Sequence, residues 1–212
     1  MTQACSARIS VSDRPLRLAP LVLVIACISG CLLAPMSTPI TYTPASNVAP
    51  IPGASSVHVH VVGEDQRTDK NSVGQYGQQT VTTTTNVGDT ARDAVRTELQ
   101  ARGFLVSNEP GPGIVEVRVQ VLRMNGHFFS TLVYASYAAE MTMHVEVELK
   151  GKGIVYSQSF EVTDTYLPSD FGSVSDHFGL ALSGALQQGV AKLFDDPAFI
   201  AALLAKSPPP KS

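Results

Sequence analysis

Val115, Val117, Val119 and Val121 alternate with Glu116, Arg118 and Gln120. Successive side chains of a strand point to opposite faces, so this pattern describes a strand with one buried and one wet face. The rule recurs in Met141, Met143, Val145, Val147 and Leu149, set against Thr142, His144, Glu146 and Glu148. It recurs again through Ile154, Tyr156, Phe160 and Val162. Three such strands, over 114–124, about 133–149 and 154–163, predict an antiparallel meander with one solvated face. Asn125-Gly126 is a strong hairpin signal after the first strand, with 127–131 able to lengthen the connection. Lys150-Gly-Lys-Gly153 turns the chain after the second. The connection is strand to strand, so this glycine pair is a turn and not a phosphate loop.

The rest of the folded part fits around that meander. Val57, Val59 and Val61 share one face of a first strand over 57–62, with His58 and His60 on the other. Residues 64–70 form a dense polar loop, and 73–87 read as a loop followed by a weak, threonine-rich edge strand or flap. A helix follows over 89–102, capped by Asn86 or Asp89, with Ala91, Ala94, Val95 and Leu99 inward and Arg92, Arg96 and Glu98 outside that stripe. Gly103 ends it and 104–107 is a short strand. That order is what a parallel crossover requires. A second helix over 175–194 starts at Ser173 or Ser175. Phe178, Leu182, Leu186, Val190 and Leu193 trace its buried stripe, and close approach to the sheet offsets the cost of Gly179, Gly184 and Gly189. Asp196-Pro197 opens a short last helix. The expected fold is α/β (α+β): a two-layer sandwich. A mixed, mostly antiparallel sheet of four to five strands carries two main helices on one face and a short C-terminal helix.

The N-terminal segment sets the address. Arg8, Arg14 and Arg17 precede an apolar run from Leu21 that closes in Ile28-Ser29-Gly30-Cys31, the build of a signal peptide ending in a lipobox. The lipidated residue is then Cys31, with Cys27 as the weaker alternative because Ile25-Ala26 are bulkier than Ser29-Gly30. Leu32 follows, not the aspartate that retains enteric lipoproteins in the inner membrane, which favours the periplasmic face of the outer membrane. Residues 1–30 are leader. Residues 31–56, with prolines at 35, 39, 44, 50 and 52, are an extended tether, docking of 40–42 on the domain being the alternative. One domain spans 57–205, and 206–212 is a disordered tail. The chain has 3 cysteines, Cys5, Cys27 and Cys31, so the mature domain has neither thiol chemistry nor a disulfide. A net charge of −3 leaves no nucleic-acid footprint.

No nucleophile elbow, phosphate loop or dinucleotide fingerprint occurs. His58 and His60 are too few for a metal, and the chain is read as a non-enzyme without cofactor or metal. Glu146 and Glu148 share a face at a spacing that suits glycoside hydrolysis, but they lie on a flat strand. The candidate contact residues are Asp65, Gln66, Arg67 and Asp69 in the polar loop, beside the solvated sheet face. Phe128, Phe129, Tyr134 and Tyr137 are either hairpin packing or an exposed aromatic edge, and Leu132-Val133-Tyr134-Ala135 points to two-sided burial of at least part of this segment. His177 reads as a surface or capping residue.

The order of lipobox, proline-rich tether, valine-rich strand, Asp65-Gln-Arg-Thr-Asp69 and a helix ending Ala101-Arg-Gly-Phe104 resembles the YajG-like bacterial lipoproteins over about 55–205. The resemblance implies an outer-membrane-anchored periplasmic domain and transfers no catalytic residue. The expected function is a tethered binding or scaffold module for a periplasmic protein or peptidoglycan-associated partner. The alternatives are a carrier of a small lipid or cell-wall fragment, and a cell-wall hydrolase.

Overall fold

The computed structural model describes residues 36–44, 48–131, 134–169 and 172–205. The leader, Cys27, Cys31, Leu132-Val133 and the tail from 206 lie outside the described residues.

The meander dominates. Strand β6 (Val115–Ser130), β7 (Ala135–Leu149) and β8 (Gly153–Tyr166) pair antiparallel in sequence order. The far edge of β6 is shared. Its first half pairs parallel with β2 (His58–Asp65), and Gly126 and His127 pair parallel with β3 (Gly74–Tyr76). Beyond β2 lies β5 (Leu105–Ser107), parallel to it; beyond β3 lie β4 (Gln79–Thr83) and then β1 (Met36–Thr38). The sheet therefore has 8 strands and not four or five. The threonine-rich strand expected within 73–87 is β4, with Val81 its lone buried side chain, but β1 pairs beyond it so that it is no edge; the added strands β1 and β3 have three residues each and bury only Thr38 and Gly74. A segment that buries one residue carries no period-two signal for a reader to find.

Asn125-Gly126 is not a turn. Asn125 faces Glu140, Gly126 faces Ala139, and the reversal comes later, where the Thr131 amide bonds the Tyr134 carbonyl. A type I′ hairpin needs positive φ at both central residues, and no non-glycine residue has positive φ among the described residues. Gly126 serves packing instead: a Cβ there would lie 2.8 Å from the Phe178 ring. Two irregularities also change the parity. Between Val121 and Arg123 the ladder skips Leu122, which is left 40% exposed, and Met124 returns to the buried side. Between Val147 and Glu148 the ladder shifts, so Ile154 lies opposite Glu148 and is 54% exposed, contrary to its place in the simple alternation.

One face of the sheet carries all three helices. Helix α1 (Val87–Ala101), capped by the Asn86 side chain, lays Ala91, Ala94, Val95 and Leu99 on the sheet. Helix α2 (Val174–Asp195), capped by Ser173, buries Phe178, Leu182, Leu186, Val190 and Leu193 over β7 and β8. Helix α3 (Pro197–Leu204), capped by Asp196, adds Phe199 and Leu203. Valine and methionine side chains of β2, β6 and β7 meet these helices in one continuous core. His177 belongs to that core and not to the surface; it is 5% exposed and stands 5.2 Å from the Tyr137 ring and 5.6 Å from Tyr166.

The proline-rich segment is no free tether in its described part. Beyond β1, Ile40 is buried, the Thr41 amide donates to Ser183 Oγ on α2, and the Tyr42 hydroxyl donates to Glu98 Oε2 on α1 at 2.7 Å. Ile51 then hydrogen-bonds the Arg102 carbonyl. Prolines forbid a helix here but not an extended strap whose donors find partners. The strap also explains why Glu98 faces inward, off the expected polar face: Arg102 and Tyr42 share its carboxylate, and the Arg102 guanidinium rests 4.8 Å over the Phe194 ring. Burial, then the Glu98 hydrogen bond, pushes the Tyr42 hydroxyl pKa up, so it stays a donor.

The glycines of α2 separate two kinds of close contact. A Cβ at Gly179 would lie 2.6 Å from Thr38 Oγ1 and 2.7 Å from the Pro39 carbonyl oxygen. At Gly184 it would meet the Asp164 carboxylate, the end of a flexible side chain. Gly179→Ala is therefore expected to destabilise by about 1–3 kcal/mol by lifting the strap. Gly184→Ala is expected to be neutral or to gain up to about 1 kcal/mol of helix propensity. Urea melts of the two variants check this.

Candidate interaction surface

The second face of the sheet carries no helix among the described residues. It presents the outward parity of four neighbouring strands: His60 and Glu64 of β2, Glu116, Arg118 and Gln120 of β6, Thr142, His144 and Glu146 of β7, and Ser157 and Ser159 of β8. Continuous ladders, parallel between β2 and β6 and antiparallel through β6, β7 and β8, hold these groups at fixed spacing.

Arg118 is its centre. The guanidinium lies 3.0 Å from Glu116, 3.3 Å from Glu146 and 3.7 Å from Glu64. Partial burial pulls the Arg118 pKa down, and the three carboxylates more than reverse that, holding it above its ordinary value. Glu64 also accepts from Gln120 and Gln66. His144 Nδ1 is 2.9 Å from Ser159 Oγ, and its Nε2 is 3.6 Å from Glu146. Toward the end of β6, Arg123 pairs with Glu140 at 2.7 Å. Glu64, Glu116, Glu140, Glu146, Glu148 and Glu161 face two guanidiniums, so the surface is acidic on balance. Glu146 lies against Arg118 and His144.

The four loop residues singled out from the sequence divide into two pairs. Asp65 and Arg67 are each 4% exposed at the side chain. Arg67 Nε and a terminal nitrogen donate to the two oxygens of Asp65, at 2.9 and 2.8 Å. Its remaining donors reach the carbonyls of Ser72 (2.6 Å) and Lys70 (3.1 Å). The guanidinium thus closes the 66–72 loop from inside, where β2 gives way to β3 along β6. Burial raises the Asp65 pKa, and the Arg67 side-chain and amide hydrogen bonds with the Arg67 charge outweigh it, holding the carboxyl below its usual range. Gln66 and Asp69 are exposed: Gln66 donates to Glu64 at the border of the open face, and Asp69 caps the Asn71 amide.

Two further features border this surface. An open depression of about 500 Å³ between β2 and α1 is lined by His60, Gly63, Arg92, Arg96 and Asn108; Arg92 is bridged to Asp89 and Asp93, and Arg96 donates to Asn108. The aromatic group splits by parity. Phe128 and Tyr137 turn inward, 5.1 Å apart, and stack on Tyr76 and Phe178. Phe129 and Tyr134 are 56% and 60% exposed, so Tyr134 lies outside any part of 132–135 that is buried on two sides. Among the described residues no three His, Cys, Asp or Glu side chains gather as metal ligands, and no helix is long and apolar enough to cross a membrane.

A family model described as "Uncharacterized lipoprotein" matches residues 44–204. The chain belongs to that family. This lipoprotein match supports the resemblance drawn from the sequence at the level of an uncharacterised bacterial lipoprotein family, and not the YajG-like group in particular. No curated protein matches the chain. Among solved structures, the protein XCC0632 from Xanthomonas campestris is similar in fold, with a TM-score of 0.51 at 15% identity, covering 75% of this chain and 92% of that one. The rare lipoprotein B from Shewanella oneidensis scores 0.40 at 14% identity, covering 69% and 98%. A minor lipoprotein from Acinetobacter baumannii scores 0.40 at 11% identity, covering 68% and 94%.

Proposed function

We propose that this lipoprotein is a binding or scaffold module of the bacterial envelope. It is anchored through acylated Cys31 at the periplasmic face of the outer membrane, and it engages a protein or cell-wall-associated partner through the open sheet face. The observation that carries the reading is the face itself: a surface four strands wide, charge-patterned around Arg118, that the helices among the described residues leave uncovered. Its acidic balance suits a partner with a basic surface. Gln66 and Asp69 extend the contact at its border, while Asp65 and Arg67 hold the loop that presents them.

A carrier would need an apolar cavity between sheet and helices. That space is filled by Val59, Val117, Val145, Leu99 and Leu182, all at 0% exposure, and their neighbours. The finer likeness to YajG-like lipoproteins rests on the 65–69 and 101–104 motifs and agrees with an envelope location. Crosslinking in intact cells, followed by purification through a C-terminal tag, tests the reading. A discrete protein adduct is expected. Co-purifying lipid or muropeptide without a protein partner would favour the carrier.

A further inference from the structure

Large exposed apolar side chains collect at both ends of the sheet: Phe129, Tyr134 and Leu167 at one, Leu105, Ile154 and Val155 at the other. The register of β1 distinguishes them. Met36 is level with Val81, which is level with Gly74, and Gly74 with Gly126. Strand β1 runs parallel to β4 and β4 antiparallel to β3, so the chain preceding Met36 leaves toward the end where β6 reaches Phe129. Cys31 precedes Met36 by five residues, a chain that spans at most about 18 Å. Phe129 stands three positions beyond Gly126, about 10 Å along the strand, and β1 is three strand spacings, about 14 Å, from β6. Ile154 and Val155 lie near the level of Val115, roughly 33 Å the other way. The docked strap thus makes the leash short and attaches it near one end.

We propose that this end of the domain, through Phe129, Tyr134 and Leu167, rests on the bilayer that holds the Cys31 acyl chains. Three features fit a lipid surface. The described residues of the hairpin end, 128–131 and 134–137, carry no charge. Tyrosine is a side chain of the membrane interface, and phenylalanine and leucine form the apolar face of elements that lie in it. The rings stand on a rigid base, since Phe128 and Tyr137 beneath them stack on Tyr76 and Phe178. The contact adds a second attachment to the lipid one and fixes orientation, so the strands stand away from the membrane and the open sheet face points sideways into the periplasmic space. The inference rests on acylation at Cys31 and is independent of any partner.

The chain has 0 tryptophans, so one substitution creates a clean probe. Phe129→Trp and Tyr134→Trp report on the proposed contact, and Val155→Trp reports on the far end. Each acylated protein is reconstituted into phosphatidylethanolamine–phosphatidylglycerol vesicles with and without brominated acyl chains. An interfacial side chain buries about 5–10 Å into the headgroup and acyl boundary, so bromine is expected to lower emission of the Phe129→Trp and Tyr134→Trp proteins at least about twofold and leave Val155→Trp unchanged. Emission insensitive to bromine at 129 and 134, as when another copy or a protein covers the patch, overturns the proposal. Equal quenching at 155 does so too.

Discussion

Arg67→Met is expected to lower stability by about 3–5 kcal/mol, because it leaves the Asp65 carboxylate buried without its cation. The guanidinium also satisfies the carbonyls of Lys70 and Ser72, so the variant loses the closure of the 66–72 loop. For a domain of this size that corresponds to a Tm lower by roughly 6–20 °C. Arg67→Lys keeps the charge but has no planar fork for Asp65, and is expected to recover only part of the loss. The pH dependence carries the sign. Asp65 has a folded pKa below its unfolded value near about 3.9. Its contribution is therefore complete above that value and is lost as pH falls through the folded pKa. In Arg67→Met the carboxyl is buried without a partner and its pKa rises, so acidification down to the unfolded value stabilises that variant, whereas the parent loses the Asp65 contribution only below that value. Thermal melts from pH 7 to pH 3 read both effects. A loss under about 1 kcal/mol with parallel pH profiles would mean that the pair is solvated.

Cys31→Ala is expected to abolish palmitate labelling and release the protein from the membrane fraction. Acyl chains contribute about 0.8 kcal/mol per buried methylene, and a hairpin end with two exposed rings cannot replace them. The substitution changes none of the buried side chains of the described core, which run from Ile40 to Leu203, so the variant should otherwise melt like the parent. Continued labelling of Cys31→Ala would move the acylated residue to Cys27. A labelled but soluble parent protein would contradict anchoring.

The meander, the helix stripes and the caps at Asn86, Ser173 and Asp196 were legible because each rests on local rules: a period, a donor to satisfy, a left-handed glycine. The parts that were not legible depend on contacts far apart in sequence. Gly126 looks like a turn residue until Phe178 is placed over it. Glu98 looks like a solvent-facing acid until Arg102 and Tyr42 converge on it. Met36–Thr38 becomes a strand only because β4 offers an edge 46 residues away. The surface was legible in part. Alternation placed Arg118, His144 and Glu146 on one wet face, whereas the motif at 65–69 did not reveal that its arginine and first aspartate point inward. An arginine between acids was the available signal, and it denotes a loop held from within as readily as a docking site.

A photocrosslinker placed on the open sheet face shows whether that face meets a protein partner. Thr142, in the middle of β7, carries the probe in intact cells, and Gln100, exposed on the opposite layer in α1, carries the control. The expected result is one discrete protein adduct from position 142, weakened by Glu116→Lys and absent from position 100. An adduct from position 100 alone, or none from 142 with the protein acylated and folded, would contradict it.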